Sequence, residues 1–245
     1  AGMMAAGRAA ELGRSVILFE KNPTLGKRLL LTGGGRCNLA NANPDMSRYH
    51  GDPGFAQKAV ETFDHNSVMG FFEKMGVRLR KDSGGRIWPA SGQAVTIADA
   101  MSRELDFYKV KVMRNETVKS VKRVTGFEVS TDRSVLRGDS VIIATGGCGY
   151  PQLGSTGDGY KLAESLGHKV VPVSQSMVPL ELDGNWFKKI KGVRVDSELL
   201  ISGNNINRII RGDVIFTPYG ISGTAVLDAS RTVLSNLNDS LFSFA

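Results

Sequence analysis

The sequence has 245 residues, 41% hydrophobic and 22% charged, enough for one large globular domain or two small ones. Two cysteines are too few for a disulfide framework, and no apolar run approaches the ~18 residues of a membrane-spanning helix. The net charge of +7 comes from basic residues spread along the chain, which favours a solvated surface over a nucleic acid site. We expect a cytoplasmic protein with no membrane span and no nucleic acid partner. No feature of the sequence indicates an oligomeric state.

The first twenty residues resemble part of a dinucleotide-binding fingerprint. Residues 3–12 are predicted to form a helix and residues 15–20 a buried strand. Gly2 and Ala6 would let the helix pack closely against a strand, and Glu20 would accept hydrogen bonds from ribose hydroxyls. The preceding strand and the first two glycines of the G-x-G-x-x-G pattern are missing. A βαβ unit of some other parallel-sheet protein is therefore the alternative.

A glycine-rich loop follows at residues 32–38. Its three consecutive glycines would expose backbone N–H groups that can form an anion-binding nest, and the next residue adds a cation suited to phosphate. A plain linker would not need Arg, Cys and Asn directly after the glycines, so we favour a ligand loop. The candidate binding residues are Gly33, Gly34, Gly35, Arg36, Cys37 and Asn38.

The middle of the chain alternates helical and strand-like patterns. Residues 54–76 are predicted to form two helices, residues 77–90 a hairpin that turns at two glycines, and residues 93–107 another helix. From residue 109 to 145 the apolar positions alternate with a period of two. This part of the chain therefore predicts a short antiparallel meander.

A second glycine-rich region follows the apolar run Val141–Ala144, which we expect to be a strand buried on both faces. The glycines after it would let a cofactor approach the backbone, although a simple turn is the alternative. Ser155 is predicted to cap a helix that runs to about residue 166, with Asp158 completing an S-x-x-D box beside the same edge. The candidate binding residues are Ala144, Thr145, Gly146, Gly147 and Asp158.

Distant parts of the chain are expected to meet. We expect residues 33–38 and 144–159 to converge on one rim, with their backbone amides directed at a single nucleotide. After about residue 176 the pattern changes to short apolar strands, so we predict an incomplete cofactor domain at 1–175 and an incomplete, mainly β domain at 176–245.

The titrating residues indicate no further chemistry. None of the three histidines, His50, His65 and His168, has the spacing of a metal ligand, so no metal and no catalytic acid or base is assigned. Cys37 and Cys148 each neighbour a glycine-rich loop and could lie close in space. Without a C-x-x-C pattern, a redox dithiol is disfavoured.

Five parts of the chain carry a family resemblance: Ala1–Ala6, Leu29–Asn38, Ala144–Gly147 with Pro151 and Gly154–Tyr160, Val178–Leu180, and Phe216–Thr217 with Gly220–Gly223. On these residues the chain resembles the bacterial NAD(P)/FAD-dependent oxidoreductases of the BaiN/RdsA type, which are also described as aminoacetone-oxidase-like. The resemblance implies an α/β fold. Its parts are a glutathione-reductase-like FAD-binding Rossmann domain that lacks the first strand, an antiparallel β meander and the start of a mainly β insert domain.

The resemblance also implies a cofactor and a reaction. It implies FAD held by Gly2, Glu20, Lys21, the 33–38 loop, the backbone around Val118 and the 144–147 loop, with NAD(P)H as electron donor. The expected reaction is flavin-mediated hydride transfer to a small organic or steroid-like enone. An amine oxidase of the same family and a non-catalytic nucleotide-binding fragment are the alternatives.

Three departures from the family pattern matter. The first strand with its two glycines is missing, and so is the C-terminal part that would return to the FAD domain. Pro218 stands where the family usually has His, and Thr224 where it usually has Pro. The resemblance therefore implies a fragment, which we expect to be inactive alone and to bind FAD poorly or not at all.

Overall fold

The chain divides into two units, Ala1–Val170 and Val171–Ala245, in a computed structural model that describes residues 1–49, 52–203 and 206–234. His50 lies outside the described residues. The division into a cofactor domain and an insert domain stays a prediction. Within the described residues, no helix combines the length and apolar character that a membrane crossing requires.

A helix and a parallel strand pair begin the first unit. Helix α1 (Gly2–Glu11) and strand β1 (Ile17–Glu20) form where they were predicted, and β1 pairs in parallel with β5 (Lys111–Arg114). The prediction that residues 109–114 open the meander is therefore wrong. Parallel pairing needs a long crossover connection, which the alternating sequence pattern does not reveal. The core beside this pair contains Ala6, Leu25, Leu105 and Val110.

The crossover between β1 and β5 holds the predicted helices and hairpin. Helices α2 (Pro53–Thr62) and α3 (His65–Lys74) each begin after an aspartate whose carboxylate accepts a backbone N–H of the first turn. Strand β2 (Ala40–Asn41) precedes them. Strands β3 (Leu79–Lys81) and β4 (Arg86–Pro89) form the antiparallel hairpin, with β2 on the other side of β4. Helix α4 (Ala94–Phe107) follows and buries six residues.

The meander and one further helix complete the unit. Strands β6 (Val118–Val124), β7 (Gly126–Thr131) and β8 (Val135–Gly138) pair antiparallel in chain order, as predicted. Helix α5 (Asp158–Ser165) contributes Leu162 to the core on the meander.

Two local predictions in this unit are wrong. Residues 141–147 form no strand among the described residues, and Ile142 is 67% exposed rather than buried. An extended apolar run becomes a strand only when a neighbour satisfies its backbone, and β1 pairs only with β5 here. Ser155 does not cap α5, because Gly157 is the N-cap residue and the Ser155 hydroxyl accepts a hydrogen bond from Arg28.

The second unit is a four-stranded antiparallel sheet packed on one helix. Its strands are β9 (Leu180–Glu181), β10 (Arg194–Gly203), β11 (Ile206–Thr217) and β12 (Gly220–Ser222), in the spatial order β10-β11-β12-β9. Helix α6 (Thr224–Leu234) buries its apolar face on the sheet. The change to a strand pattern after about residue 176 agrees with these four strands.

Candidate functional site

The turn after β1 places Glu20 at the carboxyl end of the parallel pair. Its Oε1 atom accepts hydrogen bonds from the backbone N and the Nδ2 atom of Asn22, both at 2.8 Å. Among the described residues Oε2 has no hydrogen bond, so it is available to a ligand hydroxyl. The backbone N of Glu116 donates to Glu20 O at 3.1 Å, and that of Asn115 to Asn22 O at 3.2 Å. The chain leaving β5 therefore fixes the turn.

Two predicted binding residues, Lys21 and Asp158, are partners of each other. Lys21 Nζ lies 2.7 Å from Asp158 Oδ2 and 2.6 Å from Thr156 Oγ1. The hydrogen bond from Lys21 lowers the pKa of Asp158 below its usual range, and the hydroxyl of Thr156 lowers it further. The pair therefore joins the end of β1 to the first turn of α5.

Three more side chains hold residues 149–158, which we call the 149–158 loop. Asn22 Nδ2 donates to the backbone O of residue 153 at 3.2 Å, and Lys27 Nζ to that of residue 152 at 3.0 Å. Arg28 NH1 donates to Ser155 Oγ at 2.9 Å and to the O of residue 149 at 3.3 Å. Sequence reasoning gave no site role to these three side chains, although three polar residues within seven positions after a strand are a usable signal.

The predicted residues 144–147 lie between the starts of α1 and α5. A Cβ atom on Gly2 would lie 3.5 Å from Leu18 Cδ1 and 3.7 Å from Ala144 Cβ, which are ordinary contacts. The packing expected at Gly2 therefore does not require glycine. The O of Gly147 accepts the N–H of Gly157 at 3.2 Å, and a Cβ on Gly159 would lie 2.2 Å from Thr145 Oγ1. Gly146 has a left-handed backbone with φ 77°.

The 32–38 loop is a left-handed turn. Its three glycines have φ angles of 58°, 66° and 83°, a region that L side chains rarely adopt. The N–H groups of Gly35 and Cys37 donate to Thr32 O, whereas those of Gly33, Gly34 and Arg36 donate to no backbone group among the described residues. The loop therefore exposes free amide donors, as an anion-binding loop requires.

The Trp88 ring packs against this loop. The guanidinium of Arg36 lies 4.4 Å from the Trp88 ring centroid, and a Cβ on Gly33 would lie 2.6 Å from Trp88 Cζ3. Cys37 is buried in the same core cluster as Phe72, and burial raises the pKa of its thiol. Its side chain therefore belongs to the core, whereas Asn38 is exposed.

The two predicted binding loops connect through Arg28. No hydrogen bond within the described residues joins residues 33–38 to residues 144–159, but Arg28 binds the 149–158 loop and directly precedes the 3₁₀ turn Leu29–Leu31 that leads into the glycines.

Val118 begins β6 two residues after Glu116. Cys148 is exposed and Cys37 buried, and both thiols are free. In the described part of the chain, no group of three or more metal-ligating side chains occurs.

The hydrogen bond between Trp88 and Asp82 makes a testable prediction. The indole N–H, 3.0 Å from Oδ2, lowers the pKa of Asp82, and the backbone N–H groups of Arg86 and Gly84 add to the shift. A carboxylate with a lowered folded pKa stabilises the fold above its unfolded pKa, and this contribution is lost as the pH falls through the folded pKa. Trp88→Phe is expected to raise the pKa of Asp82, measured by carboxyl NMR titration. Trp186→Phe, in the other unit, is the control, and an unchanged Asp82 pKa in Trp88→Phe would refute the coupling.

The first unit carries the whole net charge. Residues 1–170 hold 24 of the 31 lysines and arginines and 17 of the 24 aspartates and glutamates, which accounts for the net charge of +7. A positive field of this kind attracts phosphate-bearing ligands.

Comparison with characterised proteins finds several relatives, of which three are as follows. The chain is 37% identical over 225 residues to the 3-dehydro-bile acid delta(4,6)-reductase of Clostridium scindens, covering 91% of this chain and 55% of that protein. It is 30% identical over 235 residues to the ribosomal RNA dihydrouridine synthase of Escherichia coli, covering 94% and 58%. The protein of the same name from Haemophilus influenzae is 28% identical over 240 residues, covering 94% and 59%. The chain thus spans little more than half the length of these relatives.

One solved structure aligns with nearly the whole chain at low identity. The L-proline dehydrogenase from P. horikoshii aligns with 98% of this chain and 76% of its own at 13% identity, with a TM-score of 0.37. That similarity is too low to carry an argument.

A family assignment follows from the sequence match. The description "HI0933-like protein Rossmann domain" matches residues 1–242. The match confirms the resemblance and the Rossmann-type fold, and the relatives above include the reductase type that the motifs indicated. The chain therefore belongs to the family of HI0933-like proteins with a Rossmann domain.

Proposed function

We propose that this chain is the cofactor-binding part of an FAD-dependent oxidoreductase. The observation that carries the proposal is the junction at the end of β1, where Glu20, Lys21 and Asn22 meet the 149–158 loop beside the start of α5. Rossmann-type sheets bind nucleotides at the carboxyl ends of their parallel strands. The family membership of residues 1–242 supports the same conclusion.

The residues of this junction fit a flavin dinucleotide. Helix α1 has no acidic residue in its first turn, so its N-terminal N–H groups can donate hydrogen bonds to a pyrophosphate, which the helix dipole also favours. Glu20 has an acceptor oxygen, Oε2, without a partner among the described residues. The free amides of Gly33, Gly34 and Arg36 suit further oxygen atoms of the same ligand.

Each group then has a proposed role. Glu20 would accept hydrogen bonds from the ribose hydroxyls. The start of α1, Gly146 and Gly147 would face the phosphates and the ring system. Lys21 and Asp158 hold the 149–158 loop in place rather than binding the ligand as separate charges. When bound, FAD supplies hydride transfer, and the protein positions it and excludes water.

The proposed substrate is a small molecule with a carbon–carbon double bond conjugated to a carbonyl. The name of the Clostridium relative describes reduction of such a bond in a keto bile acid, and dihydrouridine is the saturated form of a similar bond in a pyrimidine. We favour a small organic or steroid-like enone because the chain is more similar to the reductase than to the dihydrouridine synthase, at 37% against 30% identity.

NAD(P)H is the proposed electron donor. The free thiols fit the proposed cytoplasmic location.

An anaerobic reoxidation experiment tests this function. The protein expressed from its complete reading frame is reduced with NADPH or NADH, and flavin absorbance is followed after adding an enone, a uridine-containing RNA, an amine-derived imine or oxygen. We expect enones to reoxidise the flavin fastest. Oxygen alone as a fast acceptor would favour an amine oxidase, RNA alone would favour a dihydrouridine enzyme, and absence of bound flavin would contradict the proposal.

A further inference from the structure

We propose that a cavity between α4 and β5 binds a small zwitterion with an apolar side chain. The cavity has a volume of about 360 Å³, at the small end of the roughly 300–1,000 Å³ typical of small-molecule sites. Its apolar wall consists of Leu25, Leu105, Val110 and Val112, of which the first three are more than nine-tenths buried. This wall suits a branched aliphatic group.

The polar wall carries one charge of each sign. Arg114, Asp106 and Ser102 line the same cavity. Within the described part of the chain, none of these three side chains has a hydrogen bond or an ion pair. By contrast, Arg8 pairs with Glu11 at 2.5 Å and Arg137 with Glu128 at 3.1 Å in the same unit. The cavity therefore offers an unpaired cation and an unpaired anion beside an apolar wall.

These groups specify the ligand chemistry. A guanidinium donates two parallel hydrogen bonds to a carboxylate, and a carboxylate such as that of Asp106 accepts hydrogen bonds from an ammonium. The hydroxyl of Ser102 can donate to or accept from either group. A ligand with both charges pairs with both Arg114 and Asp106, whereas a ligand with one charge leaves one of these two residues without a counterion. An aliphatic α-amino acid has the required charges, size and apolar side chain.

Ligand truncation tests the inference in the protein expressed from its complete reading frame. The probes are L-leucine, 4-methylpentanoate, which lacks the ammonium, and 3-methylbutylamine, which lacks the carboxylate. Dissociation constants are measured by NMR titration. We expect L-leucine to bind at least about tenfold more tightly than either single-charge probe, the effect expected from losing one charge-assisted hydrogen bond. Equal affinity of all three probes, or no binding of L-leucine, would overturn the proposal.

Matched variants separate this cavity from the rest of the surface. Arg114→Gln is expected to weaken L-leucine binding about tenfold and to leave 3-methylbutylamine binding unchanged. Asp106→Asn is expected to weaken L-leucine binding by a similar factor and to leave 4-methylpentanoate binding unchanged. Both side chains are exposed, so neither change removes core packing. Arg103→Gln and Asp99→Asn, also on exposed positions of α4, are the controls. Equal weakening by a cavity variant and its control would contradict the proposed site.

Discussion

Glu20→Gln is expected to weaken FAD binding by about tenfold to a hundredfold and to leave the fold intact. The amide oxygen of glutamine can still accept the two hydrogen bonds from Asn22, so the turn after β1 is retained. The second acceptor and the negative charge are lost, and with them the proposed bond to ribose. The dissociation constant of FAD is measured by reconstitution of the flavin-free protein expressed from its complete reading frame.

The control for this variant is Glu61→Gln. Glu61 is an exposed glutamate on α2 that accepts a hydrogen bond from Gln57 Nε2. FAD affinity should stay at the wild-type value in the control. An unchanged affinity in Glu20→Gln would remove Glu20 from the proposed site, whatever the behaviour of the control.

Gly223→Ala is expected to destabilise the sheet of the second unit by about 3 kcal/mol. Gly223 has φ 104°, and a Cβ there would lie 2.2 Å from the backbone O of Asp213 and 3.1 Å from Val214 Cα. Backbone atoms inside a sheet cannot move aside as the end of a side chain can. Hydrogen exchange of the β11 and β12 amides measures the effect, and the variant should show markedly faster exchange.

Gly192→Ala separates backbone strain from the steric clash. Gly192 also has a left-handed backbone, with φ 86°, but a Cβ there would meet no atom within 4 Å. Its replacement should cost only about 1 kcal/mol. If Gly192→Ala and Gly223→Ala accelerate exchange equally, the close approach to β11 is not the cause.

Local patterns in the sequence predicted the elements that depend on local interactions. Helices α2, α3 and α4 and the alternation in β6 and β7 lie where they were expected, because helix and strand periods are set by neighbouring residues. The turn at Gly84-Gly85 was also correct. At the site, Lys21 and Asp158 were named as separate binding residues, and their ion pair across 137 positions could not be predicted.

The failures concern contacts between distant parts of the chain. Val141–Ala144 has the composition of a buried strand, but composition does not say whether a pairing neighbour exists. Ser155 has the spacing of a cap, yet Arg28, 127 positions away, donates to its hydroxyl. The residues of β5 alternate like those of the meander strands that follow, although β5 pairs with β1 in parallel. Each error depends on whether a distant partner is present or absent, which the local pattern does not contain.

The most direct test of the account is the position of FAD in a crystal structure of the protein expressed from its complete reading frame. We predict the adenosine ribose within hydrogen-bonding distance of Glu20 and the pyrophosphate at the start of α1. The rest of the flavin nucleotide should lie between the 32–38 loop and residues 144–158. FAD bound elsewhere, with Glu20 contacting only Asn22, would contradict the proposed site.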